Sequence, residues 1–275
     1  MPNPFPELAS TPAPPVKLLV LGHSDTDGTH LADPADGWPW VIERMLRDSG
    51  TACEVVHRHL FAGPTAPGYV DRVVEQERPD VVAMATSTHA VIVHLVSNRF
   101  RERWGERPAR AAARVEQFVG RHSGPAGSRR AAATSVFRRI GRRIAGTGPA
   151  ITPAALTESY DGCMRALARH EDIRTIVLGG AGFTGDIPQF NPGSEAAQRR
   201  MQVQLRELAL RHRFDWLDHE ELLGGPLKKL TFFHADGMHT DKHSQRCVAE
   251  AIAPLLKTGA AGLPAREPAA RVTRR

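Results

Sequence analysis

The chain has 275 residues, 41% of them hydrophobic, and a formal net charge of +6. That is enough apolar content for a sizeable core in one large α/β domain or two small ones. No apolar run approaches the roughly 20 residues that a membrane-spanning helix needs. Three cysteines, Cys53, Cys163 and Cys247, are odd in number and far apart. They build no disulfide framework and no paired metal spacing, and read as reduced thiols of a cytoplasmic protein. The N-terminus lacks the basic start and apolar stretch of a secretory signal.

In chain order, residues 1–15 are proline-rich and read as a flexible arm. Residues 16–23 are a short apolar run of strand length. Trp38–Arg47 reads as a helix ended near Gly50, with Pro39 tolerated in its first turn. Cys53–Leu60 alternates apolar and polar residues as a second strand. Tyr69–Glu77 is a short helix closed by Pro79, and Asp80–Ala85 is a continuous apolar strand of the kind covered on both faces. Ala90–Phe118 looks like one helix with an arginine-rich outer face, Gly120–Gly127 is a break, and Ala131–Ile144 is a second basic helical stretch. Pro153–His170 is another helix, Arg174–Leu178 a fourth strand, Glu195–His212 a long amphipathic helix, Phe214–Leu217 a fifth strand and Ser244–Leu256 the last helix. The tail 258–275 reads as disordered. Alternating strands and helices predict a three-layer α/β/α domain over 16–257 with a parallel sheet of about five strands. Ligands of such sheets sit at the carboxyl ends of the strands, which puts Ser24, Thr86–His89 and Gly179–Gly182 on one rim.

The charge is uneven. Thirteen arginines, three glutamates and no lysine lie between Arg99 and Arg143, so that segment is near +10 and the remainder near −4. Segment 98–148 reads as a basic helical insert. It is a solvated hairpin, a lid over the substrate, or a face for an anionic lipid or an anionic carrier-bound substrate. No aromatic interleaving or known motif argues for nucleic acid.

Two segments carry chemistry. Gly22-His23-Ser24-Asp25-Thr26-Asp27-Gly28 places a serine where the first strand breaks into a loop. Asp236-Gly237-Met238-His239 places an aspartate three residues before a histidine near the other end. Serine, histidine and carboxylate are the parts of a nucleophilic hydrolase, in an order that varies between folds. Each also reads as ordinary turn chemistry. His234, Asp236, His239 and His243 are crowded enough for a metal, though at no recognised ligand spacing. Gly180-Ala181-Gly182-Phe183-Thr184-Gly185 has the outline of a dinucleotide fingerprint, but Pro188 and Pro192 follow where a helix would have to start.

The first block resembles the Gly-Asp-Ser-x-Thr-x-Gly motif of the SGNH hydrolases, the GDSL esterase/lipase superfamily. It matches at Gly22, Ser24, Thr26 and Gly28 and departs at His23. The family's last block, Asp-x-x-His, is matched by Asp236 and His239. The resemblance covers roughly residues 16–256. It implies a flavodoxin-like SGNH fold and hydrolysis or transfer of an acyl group from a small-molecule or carrier-bound ester, without cofactor. Ser24 would be the nucleophile, His239 the base and Asp236 its orienting carboxylate. The family's oxyanion donors are the serine N–H, a glycine N–H after the second strand and an asparagine after the third. Gly63 corresponds to the glycine. In Ala85-Thr86-Ser87-Thr88-His89 no asparagine is present; Thr88 falls on its place and His89 is one residue away. That absence leaves a non-catalytic binding protein on the same fold as the alternative, and a metal-dependent hydrolase as a further one.

Overall fold

The computed structural model describes residues 15–92, 94–121, 143, 146, 148–182, 193–225, 233 and 239–259. The central sheet is built from β1 (Val16–Gly22), β2 (Cys53–His59), β3 (Val81–Ala85), β6 (Arg174–Leu178) and β7 (Asp215–Leu217). Its order is β2-β1-β3-β6-β7 and every pairing is parallel. The helices are α1 (Trp38–Asp48), α2 (Ala66–Glu77), α3 (His89–Ile92), α4 (Val96–Trp104), α5 (Glu106–Arg121), α6 (Pro153–Leu167), α7 (Ser194–Arg211), α8 (His219–Leu222) and α9 (Lys242–Gly259). This is the expected α/β architecture with five parallel strands.

Strand periodicity explains the three layers. Successive side chains leave a strand on opposite faces, so Leu19, Leu21, Val82 and Met84 enter one core while Leu18, Val20, Val81 and Ala83 enter the other. The first core is closed by α2, α6 and α7 through Val70, Val74, Leu156, Met164 and Leu205. The second is closed by α1 and α9 through Trp38, Ile42, Leu46, Val248, Ile252 and Leu256. Strands covered on both faces need apolar residues at every position, which is why β1 and β3 read as unbroken apolar runs.

The order of the sheet positions the site. From β1 the chain moves outward to β2, then returns across β1 to build β3, β6 and β7 on the other side. The crevice at this reversal, between the carboxyl ends of β1 and β3, is where ligands of open parallel sheets bind. The loops beginning at His23 and Thr86 flank it.

The expected single helix over 90–118 is instead α3, a short strand β4 (His94–Leu95), α4 and α5. Gly105, at φ +83, turns the chain between α4 and α5, a backbone conformation that glycine adopts without strain. β4 pairs antiparallel with β5 (Gly148–Pro149), so the two ends of the basic segment meet at its base. The second basic stretch is outside the described residues except Arg143, as are the arm up to residue 14 and the tail from 260. Among the described residues, no helix is long and apolar enough to cross a membrane.

Leu19 is fully buried at the centre of the sheet. Leu19→Ala is expected to lower the unfolding free energy by about 2–5 kcal/mol, read as a lower urea midpoint at unchanged slope.

Candidate active site

Gly22 ends β1 and leads into a tight turn. The Thr26 N–H donates to the His23 carbonyl at 2.8 Å and the Thr26 hydroxyl donates to the same oxygen at 2.7 Å. A Cβ on Gly22 would lie 2.1 Å from Thr26 Oγ1, so the turn closes only on glycine. With its proton committed to His23, the Thr26 hydroxyl accepts from His57 Nε2 at 2.8 Å, which ties the turn to β2. The turn leaves Ser24 exposed and buries Asp25 and Thr26.

The buried side of the turn holds the C-terminal segment. Asp25 Oδ1 accepts from the Thr240 N–H at 2.8 Å and from the Thr240 hydroxyl at 2.9 Å. Gln245 Nε2 donates to the Asp25 carbonyl at 2.9 Å and to Thr240 Oγ1 at 2.7 Å, while Gln245 Oε1 accepts from the Trp38 N–H at 2.9 Å. Thr240 and Gln245 are fully buried. His30 spans the carbonyl oxygens of Ser24 at 3.1 Å and Thr240 at 2.8 Å, and its ring stacks on that of His239 at 4.7 Å. The residue before Thr240 is thereby delivered to the Ser24 loop: Ser24 Oγ and His239 Nε2 are 2.9 Å apart. That is within the reach at which an imidazole takes a hydroxyl proton. Asp236, the third expected member, lies outside the described residues.

The expected oxyanion donors differ in availability. The Ser24 N–H has no hydrogen-bond partner among the described residues. The Gly63 N–H, in contrast, donates to Ser159 Oγ at 2.8 Å, and Ser159 returns a bond to the Gly63 carbonyl at 3.0 Å. Gly63 is therefore clamped by α6, with its donor engaged. Thr88 is buried and lines the crevice floor against Gly180. His89 is half-buried, with its ring edge-on to that of His23 at 6.1 Å.

Burial lowers several imidazoles at the floor of the site, and one carboxylate beside them is also held low. Burial pulls His23 down to about 4, and the nearby imidazoles of His89 and His239 act in the same direction against the opposing pull of Asp25. His57 is likewise held at about 4, chiefly by burial. Burial by itself would raise the Asp25 carboxyl. The neighbouring His219 and His23 and the two Thr240 donors outweigh it, and the group stays below the usual carboxylate range. His219, buried on α8 and 3.1 Å from Ser244 Oγ, is lowered mainly by its burial.

Among the described residues, no group of three histidine, cysteine or acidic side chains is arranged to hold a metal. Two of the four residues considered for a metal, His234 and Asp236, lie outside that set. His243 Nε2 is 3.9 Å from Cys247 Sγ one turn along α9. Of the glycine-rich run after β6, Gly180–Gly182 are described and contribute to the crevice wall.

Asp25, His30, Thr240 and Gln245 were not singled out by sequence. Asp25 was the most accessible to such reasoning, sitting beside the serine in the block after the first strand. Phe61, 79% exposed, follows Leu60, whose N–H donates to the Gly22 carbonyl at 2.6 Å.

No protein-family model matches this chain, and no curated protein matches it. Solved structures do. The lipase/acylhydrolase from Enterococcus faecalis shares 12% identity over 88% of this chain and 96% of its own, with a TM-score of 0.55. A GDSL-like lipase from Bacteroides thetaiotaomicron shares 10% over 88% of each chain, TM-score 0.50. The psychrotrophic esterase EstA from Pseudoalteromonas sp., in a structure inhibited by monoethylphosphonate, shares 9% over 90% of this chain and 99% of its own, TM-score 0.51. At such identities the likeness speaks to architecture: the chain adopts the SGNH hydrolase fold.

Two outcomes follow from the buried network. Gln245→Leu orphans the Trp38 N–H and removes both donations of the amide, and is expected to cost roughly 2–4 kcal/mol in urea unfolding. The pH dependence has a definite sign. His23 and His57 sit at about 4 in the folded chain against an ordinary 6.5, so the unfolded chain binds more protons between those values and stability is lost as the pH falls through that window. Thermal melts at stepped pH should show the loss, and His57→Gln, which keeps a donor toward Thr26, should make it shallower.

Proposed function

We propose that this chain is a serine hydrolase of SGNH type that cleaves, or transfers, the acyl group of an ester. The observation that carries the reading is the 2.9 Å contact between an exposed serine hydroxyl and a histidine nitrogen, on a fold and at a rim suited to acyl chemistry. In this reading Ser24 Oγ attacks the acyl carbonyl as His239 Nε2 takes its proton. The carbonyl π electrons move onto oxygen. Collapse of that intermediate breaks the acyl–alcohol bond, and His239 gives its proton to the departing alcohol. Water, or an acceptor hydroxyl activated the same way, then releases the acyl group and restores Ser24. Asp236, three residues before the base, would hold the His239 tautomer that leaves Nε2 free to accept.

The oxyanion would take the Ser24 N–H as its first donor. We assign the place of the absent asparagine to His89, which is half-buried and beside His23, in preference to the buried Thr88. The Gly63 N–H contributes once a substrate oxygen displaces Ser159 Oγ from it. A non-catalytic binding protein on the same fold is the second reading. It is favoured by two specific facts, the missing asparagine and the engagement of Gly63 by Ser159.

A fluorophosphonate probe tests the reading without knowledge of the substrate. An adduct on Ser24, mapped by mass spectrometry and lost in His239→Ala, is the expected result; a folded protein that takes no adduct supports the binding-protein reading instead. His89→Ala is expected to slow acylation by about 10²–10³, the usual cost of one oxyanion donor, with thermal stability little changed.

A further inference from the structure

The α4–α5 hairpin follows α3 and β4, the short elements that begin at His89 on the rim that carries Ser24. Its glutamates are occupied within it. Glu102 pairs with Arg99 at 2.9 Å and Glu106 with Arg101 at 2.8 Å, while Glu116 accepts from the backbone N–H groups of Val96 and Ser97 at the start of α4. Arg103, Arg107, Arg110 and Arg114 are exposed and make no ion pair with a carboxylate among the described residues. Helical spacing gathers Arg107, Arg110, Arg114, Val115 and Phe118 on one side of α5, whereas Ala109 is fully buried and Pro108, Ala112 and Ala113 are half-buried on the other.

The outward side is also apolar. Trp104, at the corner before Gly105, is 54% exposed, Val115 50% and Phe118 63%. The Phe100 ring lies edge-on to Trp104 at 4.6 Å and the Arg103 guanidinium lies 5.9 Å over it, so the indole is held in place at the surface. Exposed aromatic and aliphatic groups beside arginines that have no carboxylate partner among the described residues match one environment well. The headgroup layer of an anionic bilayer offers phosphates to the guanidinium groups and acyl chains to the rings. Val115 and Phe118 would gain little from a phosphate backbone alone.

We infer that the outward face of the α4–α5 hairpin docks onto anionic phospholipid membrane surfaces. Docking would bring the Ser24 rim toward the lipid layer, while the chain outside residues 99–143, near −4, is repelled from it and orients the molecule hairpin-down.

The test uses the full-length protein and needs no catalytic readout. Partitioning is measured by sedimentation with vesicles of phosphatidylcholine alone and of phosphatidylcholine with phosphatidylglycerol. Binding to the phosphatidylglycerol vesicles only, weakened by salt, is expected. Each arginine near an anionic surface contributes about fivefold in partitioning, so the combined Arg107→Glu, Arg110→Glu and Arg114→Glu variant should fall by about 100-fold or more. Trp104→Ser with Phe118→Ser, at unchanged charge, should fall several-fold. No partitioning of the wild type, or equal partitioning into both vesicle types, overturns the proposal without reference to any variant. So does duplex DNA that competes fully with the vesicles when the apolar variant binds lipid as well as the wild type does, which would mark a general polyanion surface.

Discussion

Everything at the candidate site depends on one buried polar contact, the grip of Asp25 on Thr240 and Gln245. Ser24 and His239 are 215 residues apart in sequence, and no local preference could bring them together. The sheet carries β1 and the start of α9 to the same neighbourhood. Asp25, Thr240 and Gln245 then set the last few ångströms, because each hydrogen bond among them is buried and directional. A network of this kind is close to all-or-none: a partly satisfied one leaves desolvated polar atoms at considerable cost, so the lowest-energy arrangement is the fully paired one. The serine and histidine inherit the precision of residues adjacent to them.

The same burial determines the charge at the site. In the proposed reaction an imidazole accepts the serine proton, and charges placed near it would bias that step. His23 stands where the motif this segment resembles has an aspartate, and burial lowers it to about 4. Position 23 thus contributes no negative charge beside an oxygen that would develop one. Asp25 carries the charge instead, one residue further on and turned away from solvent, where the Thr240 donors consume it.

The hairpin follows different rules from the domain beneath it. The domain is held by apolar residues on both faces of a sheet. The hairpin is closed at its base by a short antiparallel pair and fastened internally by Glu116 of α5, which caps α4, and it places cations and rings outward rather than inward. The two parts differ in sign of charge as well as in construction. The rim where they meet is the rim that carries Ser24, so anything that engages the hairpin is also held near the Ser24 loop.

The architecture was legible in the sequence because its strands are buried on both faces. Such strands can only be apolar throughout, and runs such as Leu18–Leu21 and Val81–Ala85 stand out against the amphipathic helices between them. Gly22, Ser24 and His239 were legible as short patterns that a resemblance could carry. What the sequence could not show depends on contacts between distant residues. The helical pattern of 90–118 does not by itself show that Gly105 turns, because an isolated glycine inside a helix costs only about 1 kcal/mol and helices do contain them. Gly63 reads as a free donor until α6 brings Ser159 against it. Asp25, Thr240 and Gln245 are ordinary polar residues in ordinary turns until they are buried together. The sequence by itself determined which residues must be inside, since hydrophobic pattern is a local property. Only the tertiary structure decided which polar groups meet, since a hydrogen bond across 215 residues leaves no periodic trace in either segment.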